Sequence, residues 1–337
     1  MNYELATDIK LGISNSMKRR ALITGITGQD GYYLTKLLLE KGYDVYGVIR
    51  RHNRVENELG TAQEFENDVN FEYGDLTDAS SMETIVHRVN PHEVYNLAAQ
   101  SHVKISFDNP SYTAQANAIG SVNLMDAVRR LTPYARFYQA STSEMFGNSI
   151  DPDGFQRETT PMRPVSPYGA AKLFAHNMVN IYRIQHGLFA CSGILFNHES
   201  PKRGNLFVTQ KIIRFVQKME QKGWDYLSKE KLTLGNLEAR RDWGHAEDYV
   251  YGMWLMLQHN TPGDYVLSTG TTHSIKDFLT AAFGQRRWED WVETDQKFYR
   301  PEDVHHLKGD SNKARQVLGW KPKHDLQSLV NSMLEGI

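Results

Sequence analysis

Short apolar runs alternate with amphipathic stretches along the first half of the chain. Arg20–Thr24 (RALIT), Asp44–Ile49 (DVYGVI), Asn70–Tyr73, Glu93–Leu97 and Arg136–Ala140 read as strands. Between them, Gly28–Lys41 and Thr113–Leu131 carry apolar residues at helical spacing, the first ending at Gly42. A strand–helix–strand order predicts a parallel sheet with helices on both faces. Right-handed crossovers make it doubly wound. After about residue 190 the alternation loosens. Phe207–Glu220 and Ala246–Gln258 read as helices, Asp264–Leu267 as a strand, and Asp310–Gly319 and Asp325–Glu335 as closing helices. The alternating charges of Gln217–Lys231 predict a solvated face. The pattern thus predicts an α/β protein, with a Rossmann-type doubly wound sheet over residues 18–190. A smaller C-terminal substrate domain follows over 191–337, with some segments returning to the first. Residues 1–17 precede the basic Lys18-Arg19-Arg20 and read as a disordered extension or a start-site choice.

A length of 337 residues suits about two compact domains. The net charge of −2 favours neither a nucleic-acid nor an anionic-membrane partner. The single cysteine, Cys191, excludes an intramolecular disulfide framework. It sits in the apolar run LFACSGILF, which predicts a buried thiol and fits a reducing cytoplasm. No apolar run approaches a membrane span, and no signal peptide is visible.

Candidate chemistry begins at the first predicted strand–helix junction. Gly25, Gly28 and Gly31 punctuate the run Thr24-Gly25-Ile26-Thr27-Gly28-Gln29-Asp30-Gly31. Glycines there allow a tight turn and close approach of a pyrophosphate to the backbone. The following helix N-terminus offers free N–H groups to the anion. The spacing is G-x-x-G-x-x-G rather than G-x-G-x-x-G, so an ordinary tight turn is the competing reading. The second strand ends in Arg50-Arg51, where an acidic residue would bind a ribose 2′-hydroxyl. Arginines suit a 2′-phosphate and favour NADP over NAD, unless the pair is merely a solvated basic turn. Asp75 follows the third strand and is placed for an adenine contact or for capping a helix, with Asp78 competing for the cap.

Tyr168 and Lys172 are one helical turn apart, after Pro167 at a helix start. A free tyrosine has a pKa near ~10, too high for a base at neutral pH. A nearby ammonium favours the phenolate, which can then take a hydroxyl proton. Ser141-Thr142-Ser143-Glu144 follows the fifth strand, at the end that faces the ligand crevice in such sheets. Thr142 could hold a reacting oxygen. Glu144 could abstract a proton beside a ketone and protonate a leaving hydroxyl. A helix-capping cluster is the alternative. Simple hydride transfer has no use for the glutamate, so these groups together point to oxidation, elimination and re-reduction. None of the 13 histidines falls in an H-E-x-x-H or Cys/His spacing; His198 and His245 stand isolated and His305-His306 are adjacent. The sequence therefore points to no metal.

The runs ALITGITGQDGYYL, GDLTD, NLAAQSHV, STSE, SPYGAAK, NHESPKRG, LGNLEARRDWGHAEDYV and LGWKPK carry a resemblance from about Lys18 onward. In these motifs the chain resembles the GDP-mannose 4,6-dehydratases of the extended short-chain dehydrogenase/reductase superfamily. The resemblance implies dehydration of GDP-D-mannose to GDP-4-keto-6-deoxy-D-mannose on a tightly bound NADP. Tyr168, with Lys172, would take the C4 hydroxyl proton, Thr142 would hold that oxygen, and Glu144 would remove the C5 proton and expel the C6 hydroxyl. It implies a cofactor site of Gly25, Thr27, Gly28, Gln29, Asp30, Gly31, Arg50, Arg51, Asp75, Leu76, Leu97 and Ala98, beside Tyr168 and Lys172. It implies a nucleotide-sugar site of Ser101, Ser106, Asn197, Lys211, Arg241, Arg300 and Asp303, for which an Asp242 ion pair is the competing use of Arg241. A homodimer or homotetramer is implied too. Some positions depart from the family pattern. Tyr32 stands in place of a small residue, Arg50-Arg51-His52-Asn53 replaces an Arg-Arg-Ser-Ser run, and Asp303 replaces a glutamate. His305-His306 replaces an acidic–apolar pair, Gly284–Gln296 is short and Met219–Lys231 is long. A related 4-keto reductase or epimerase would keep the glycine loop and the Tyr–Lys pair without needing Glu144. A dehydratase for another nucleotide sugar would differ in base recognition. A non-catalytic scaffold would not require the tyrosine, lysine and glutamate together.

Overall fold

The computed structural model describes residues 18–51, 58–224, 230–299, 304 and 306–336. The predicted extension 1–17, Arg300, Asp303 and His305 lie outside them, as do His52 and Asn53.

Seven strands form the main sheet: β1 (Arg20–Thr24), β2 (Asp44–Ile49), β3 (Asn70–Tyr73), β4 (Glu93–Asn96), β5 (Arg136–Thr142), β6 (Ala190–Leu195) and β11 (Asp264–Leu267). Their spatial order is β3-β2-β1-β4-β5-β6-β11, and every neighbouring pair is parallel. The order reverses between β1 and β4, which opens a crevice at the carboxyl ends of those two strands. The alternation of side chains along β1 explains the two covering layers. Ala21 and Ile23 pack with α1 (Gln29–Glu40) and, across the same face, α8 (Ala246–Gln258). Leu22 points the other way, into the layer of α2 (Ala79–Val89), α5 (Gly120–Leu131) and α6 (Pro167–His186).

Three departures from the sequence pattern matter for the crevice. β5 runs on to Thr142 because Ser141 and Thr142 pair with Ile194 and Leu195 of β6. This carries Thr142 to the very end of the sheet. The single helix expected over Thr113–Leu131 is interrupted. α3 (Val103–Asp108) and α4 (Pro110–Ala114) lead into a wide π turn at Gln115–Ile119 before α5 begins. Asn117 in that turn brackets the backbone of Gln100, accepting from its N–H at 2.8 Å and donating to its carbonyl at 2.9 Å. The third is smaller: α7 (Val208–Lys222) runs two residues past the predicted Glu220, and within the charged stretch Met219 is buried and Gln217 donates to the carbonyl of Leu334 at 2.8 Å, while Glu220, Gln221, Lys222 and Gly223 are exposed.

The smaller lobe has its own core, built from α7, α9 (Ile275–Phe283) and α11 (Leu326–Glu335), with Trp243 and Leu234. Three two-stranded ribbons frame it. β7 (Asn197–Glu199) pairs with β10 (Trp243–His245), β8 (Leu232–Leu234) with β13 (Val292–Thr294), and β9 (Arg240–Arg241) with β12 (His273–Ser274). Late segments also rejoin the first lobe. β11 extends the main sheet, and the run after α10 (Asn312–Leu318) docks on α8. There Trp320, fully buried, donates its indole N–H to the Asp248 carbonyl at 2.7 Å. Cys191 is buried in β6, and burial pushes its thiol up to about 11. Among the described residues no helix is long and apolar enough to cross a membrane.

Candidate active site

Two cavities meet at the crevice, one of about 290 Å³ beside the glycine loop and one of about 340 Å³ beside β5 and α6. They share walls at Asp30, Leu97, Ser101 and Arg203.

The first cavity is lined by Gly25, Thr27, Gly28, Gln29, Asp30, Gly31, Arg50, Asp75, Leu76, Leu97 and Ala98. Gly25 has φ +73°, and a Cβ there would lie 2.7 Å from the backbone nitrogen of Ala98. Only glycine satisfies both demands, and the space it leaves lets an anion reach the backbone. α1 starts at Gly28 with no side chain capping it, so its first N–H groups are left for a ligand. The cradle therefore fits a dinucleotide pyrophosphate. Arg50 closes the far end, with Nη1 2.5 Å from the Tyr112 hydroxyl. Arg51 is exposed and stands outside the lining residues. Asp75 is on the wall and accepts from the N–H and hydroxyl of Thr77 at 2.9 and 2.8 Å; the cap of α2 is Asp78. The Gln29 amide is turned to the smaller lobe, donating to the His198 carbonyl at 3.0 Å and accepting from Ser200 at 2.8 Å. Tyr32 takes its bulk away from the cradle, where its hydroxyl bonds Glu64 at 2.9 Å.

The second cavity gathers Thr142, Glu144, Tyr168 and Lys172, with Ser101, Asn197, Lys211 and Arg241 opposite. Thr142 ends β5 and Glu144 sits in the 3-10 turn that follows, its backbone N–H donating to the Thr142 hydroxyl at 3.3 Å. Ser166 caps α6 through the N–H of Gly169 at 3.1 Å, and Pro167 occupies the first turn. Tyr168 and Lys172 thus face the cavity from one side of α6. The Tyr168 phenol bonds the Thr142 hydroxyl, and Lys172 Nζ donates to the Ala140 carbonyl at 2.8 Å. The expected lowering of the tyrosine by its lysine meets a different balance. Burial pushes Tyr168 up to about 12 and the Glu144 charge adds to it; the Thr142 hydroxyl is the largest opposing influence. Burial also pulls Lys172 down to about 8.

Other expected contacts fall elsewhere. Ser106 is fully buried and does not reach the cavity. Its hydroxyl donates to the Val103 carbonyl at 2.6 Å and accepts the Tyr168 N–H at 3.2 Å, so it seats the helix that carries the tyrosine. Asp242 spends its carboxylate on the N–H groups of Thr269 and Gly270 and the Thr269 hydroxyl, all within 2.8 Å. Arg300 and Asp303, both expected at the nucleotide, lie outside the described residues. The histidines read as isolated have partners. His198 pairs with Asp30 on the wall of the second cavity. His245, Glu247 and His324 bring possible ligand atoms within 4.8 Å of one another. Both Nδ1 atoms of that group are engaged: His245 Nδ1 accepts the Glu247 N–H at 3.2 Å, and His324 Nδ1 lies 2.9 Å from the Asp248 carboxylate. Residues not foreseen on the cavity wall include His198, Arg203, Lys104, Phe207, Phe298 and Tyr299. His198 and Arg203 belong to the NHESPKRG run, which was a signal available for both.

The sheet order and the site define a protein of the short-chain dehydrogenase/reductase fold. UDP-glucose 4-epimerase of Thermotoga maritima, solved with UDP-glucose, superposes with TM-score 0.79 at 25% identity, over 94% of this chain and 97% of that one. UDP-glucose 4-epimerase of Thermus thermophilus, solved with NAD, gives TM-score 0.79 at 24% identity, over 94% and 100%. The model of the GDP-mannose 4,6 dehydratase family matches residues 22–333, and the chain belongs to that family. GDP-mannose 4,6 dehydratase 1 of Arabidopsis thaliana is 48% identical over 338 residues, 96% of this chain and 91% of that protein. The human GDP-mannose 4,6 dehydratase is 47% identical over 342 residues, 93% and 90%.

Proposed function

We propose that this chain converts GDP-D-mannose to GDP-4-keto-6-deoxy-D-mannose and water. The observation that carries the reading is the convergence of Thr142, Glu144, Tyr168 and Lys172 on a cavity that opens into a dinucleotide cradle. A bound nicotinamide dinucleotide supplies reversible two-electron chemistry at the sugar carbons. The protein's own residues supply the proton movements. Tyr168 accepts the C4 hydroxyl proton, Thr142 hydrogen-bonds that oxygen, and Lys172 adds the positive charge that favours phenolate. Once C4 is a ketone, the C5 proton is acidic; Glu144 takes it and delivers a proton to the C6 hydroxyl, which leaves as water. As C6 is reduced, C5 regains one proton from the site, which balances the one that the C4 hydroxyl gave to Tyr168. Oxidation at C4 is matched by reduction at C6, so no net redox change results. A reductase or epimerase of the same fold would leave Glu144 without a role.

Lys211 and Arg241 offer cations to the diphosphate, Asn197 and Ser101 offer hydrogen bonds, and Arg300 and Asp303 complete the set proposed for the GDP half. Arg50, with Arg51 behind it, supports NADP as the dinucleotide. Arg50→Asp is expected to weaken NADP about 10- to 100-fold while changing NAD far less, since a charge-assisted contact contributes about 1.5–3 kcal/mol. Fluorescence titration with both dinucleotides measures this, and equal weakening of the two would remove the 2′-phosphate from the reading. Phe174, Ile181 and Ile184 of α6 are exposed apolar residues, which supports assembly of this cytoplasmic enzyme as a homodimer or homotetramer.

The function is tested by incubating the purified protein with GDP-mannose, without added cofactor, and weighing the nucleotide sugar by mass spectrometry. Loss of one water is expected. Intact substrate even after NADP is added would overturn the reading.

A further inference from the structure

His198 lies in β7, on the wall of the catalytic cavity, against Asp30, which lines both that cavity and the one beside the glycine loop. Its Nδ1 is 2.7 Å from the carbonyl oxygen of Phe196, and its Nε2 is 2.9 Å from Oδ2 of Asp30. A carbonyl can only accept, and an ionised carboxylate can only accept. Both ring nitrogens therefore carry protons, and the pair is a buried imidazolium–carboxylate. Asp30 does not hold the shared proton itself: His198, Gln29 and Arg203 together keep its carboxyl below the usual range against the effect of burial. The His198 ring lies flat on Tyr249, with centroids 4.5 Å apart and 20° between planes, a favourable seat for a cation. Burial and the Arg203 guanidinium work against its charge, yet Asp30 and the Phe196 carbonyl raise its pKa above the ordinary histidine value.

Asp30 and Lys172 line the same cavity. Across it the Asp30 carboxylate supports the Lys172 ammonium, whose charge burial opposes. The same aspartate sits in the glycine loop, whose Gln29 is bonded to the backbone of His198. We propose that His198 is a positioning residue whose imidazolium pins the Asp30 carboxylate in the cavity shared with Lys172, so that the cofactor loop and the catalytic helix are electrostatically coupled. This deepens the dehydratase reading and rests on it, since it needs Lys172 to act as an ammonium.

The coupling predicts opposite effects for the two halves of the pair. Asp30→Asn keeps an acceptor for Nε2–H and removes the negative charge. Lys172 then loses its proton at lower pH, and the alkaline limb of the kcat–pH profile moves down by roughly one unit. His198→Gln leaves the Asp30 charge without its main counter-ion, and the same limb moves up. Limbs that shift in the same direction, or that stay where they are in folded variants, overturn the coupling. Nitrogen-15 NMR of the imidazole in the unaltered protein tests the ion pair independently of turnover. Two protonated ring nitrogens on His198 at neutral pH are expected, and a neutral tautomer overturns the proposal by itself. The NMR result also decides the ion pair should His198→Gln fail to fold. Absence of any turnover of GDP-mannose by the unaltered protein would instead overturn the functional reading and leave the NMR result standing.

Discussion

Glu144→Gln is expected to lower kcat for GDP-mannose dehydration by about 10²–10⁴-fold, with KM and dinucleotide content little changed. The substitution is isosteric, and the residue is buried in the 3-10 turn directly after β5. The amide therefore fills the same space and leaves the neighbouring Thr142 and Tyr168 in place. What it lacks is a site for the C5 proton. Binding, which draws on Lys211, Arg241 and the glycine cradle, does not depend on that site. Initial rates and the uptake of solvent deuterium at C5 of the product measure the effect. Unimpaired turnover by the variant would remove Glu144 from the elimination step.

Gly25→Ala should strip the protein of its dinucleotide and lower its melting temperature. Two costs add at this position. At φ +73° an alanine strains the backbone by about 1–2 kcal/mol. Its Cβ would also press on the chain leaving β4, 2.7 Å from the nitrogen and 2.8 Å from the Cα of Ala98. Overpacking of that kind costs about 1–3 kcal/mol, and the backbone shift that relieves it moves the cradle itself. Gly42→Ala is the control. Its φ of +78° brings a similar backbone cost, but nothing lies within 4 Å of the added Cβ. That variant should lose some stability and keep its dinucleotide. Thermal melts and chromatography of the nucleotide released on denaturation separate the two, and a Gly25→Ala protein with full occupancy would sink the close-approach argument.

Much of the sheet was legible from local pattern. β1, β2 and β3 span the predicted residues, and each ends at a glycine or an arginine: Gly25, Arg50 and Gly74. The glycine loop was legible because its residue type is itself the requirement. The tyrosine and lysine could be placed together because four residues along a helix make one face. These are all short-range relations, in which backbone geometry within a few residues decides the outcome.

Long-range relations were not legible. The family resemblance implies Ser106 at the nucleotide sugar, yet packing of α3 on α6 turns its hydroxyl to the Tyr168 backbone. The ionisation of Tyr168 reads from its lysine alone, but desolvation depends on everything that covers the ring. His198 and Asp30 are 168 residues apart, and only the docking of β7 against the glycine loop pairs their charges. By itself the sequence determined the elements, their alternation and the residue types that the chemistry requires. The tertiary structure decided which end of the sheet they share, how deeply each group is buried and which charges meet, because burial and Coulomb interactions act through space and follow no spacing along the chain.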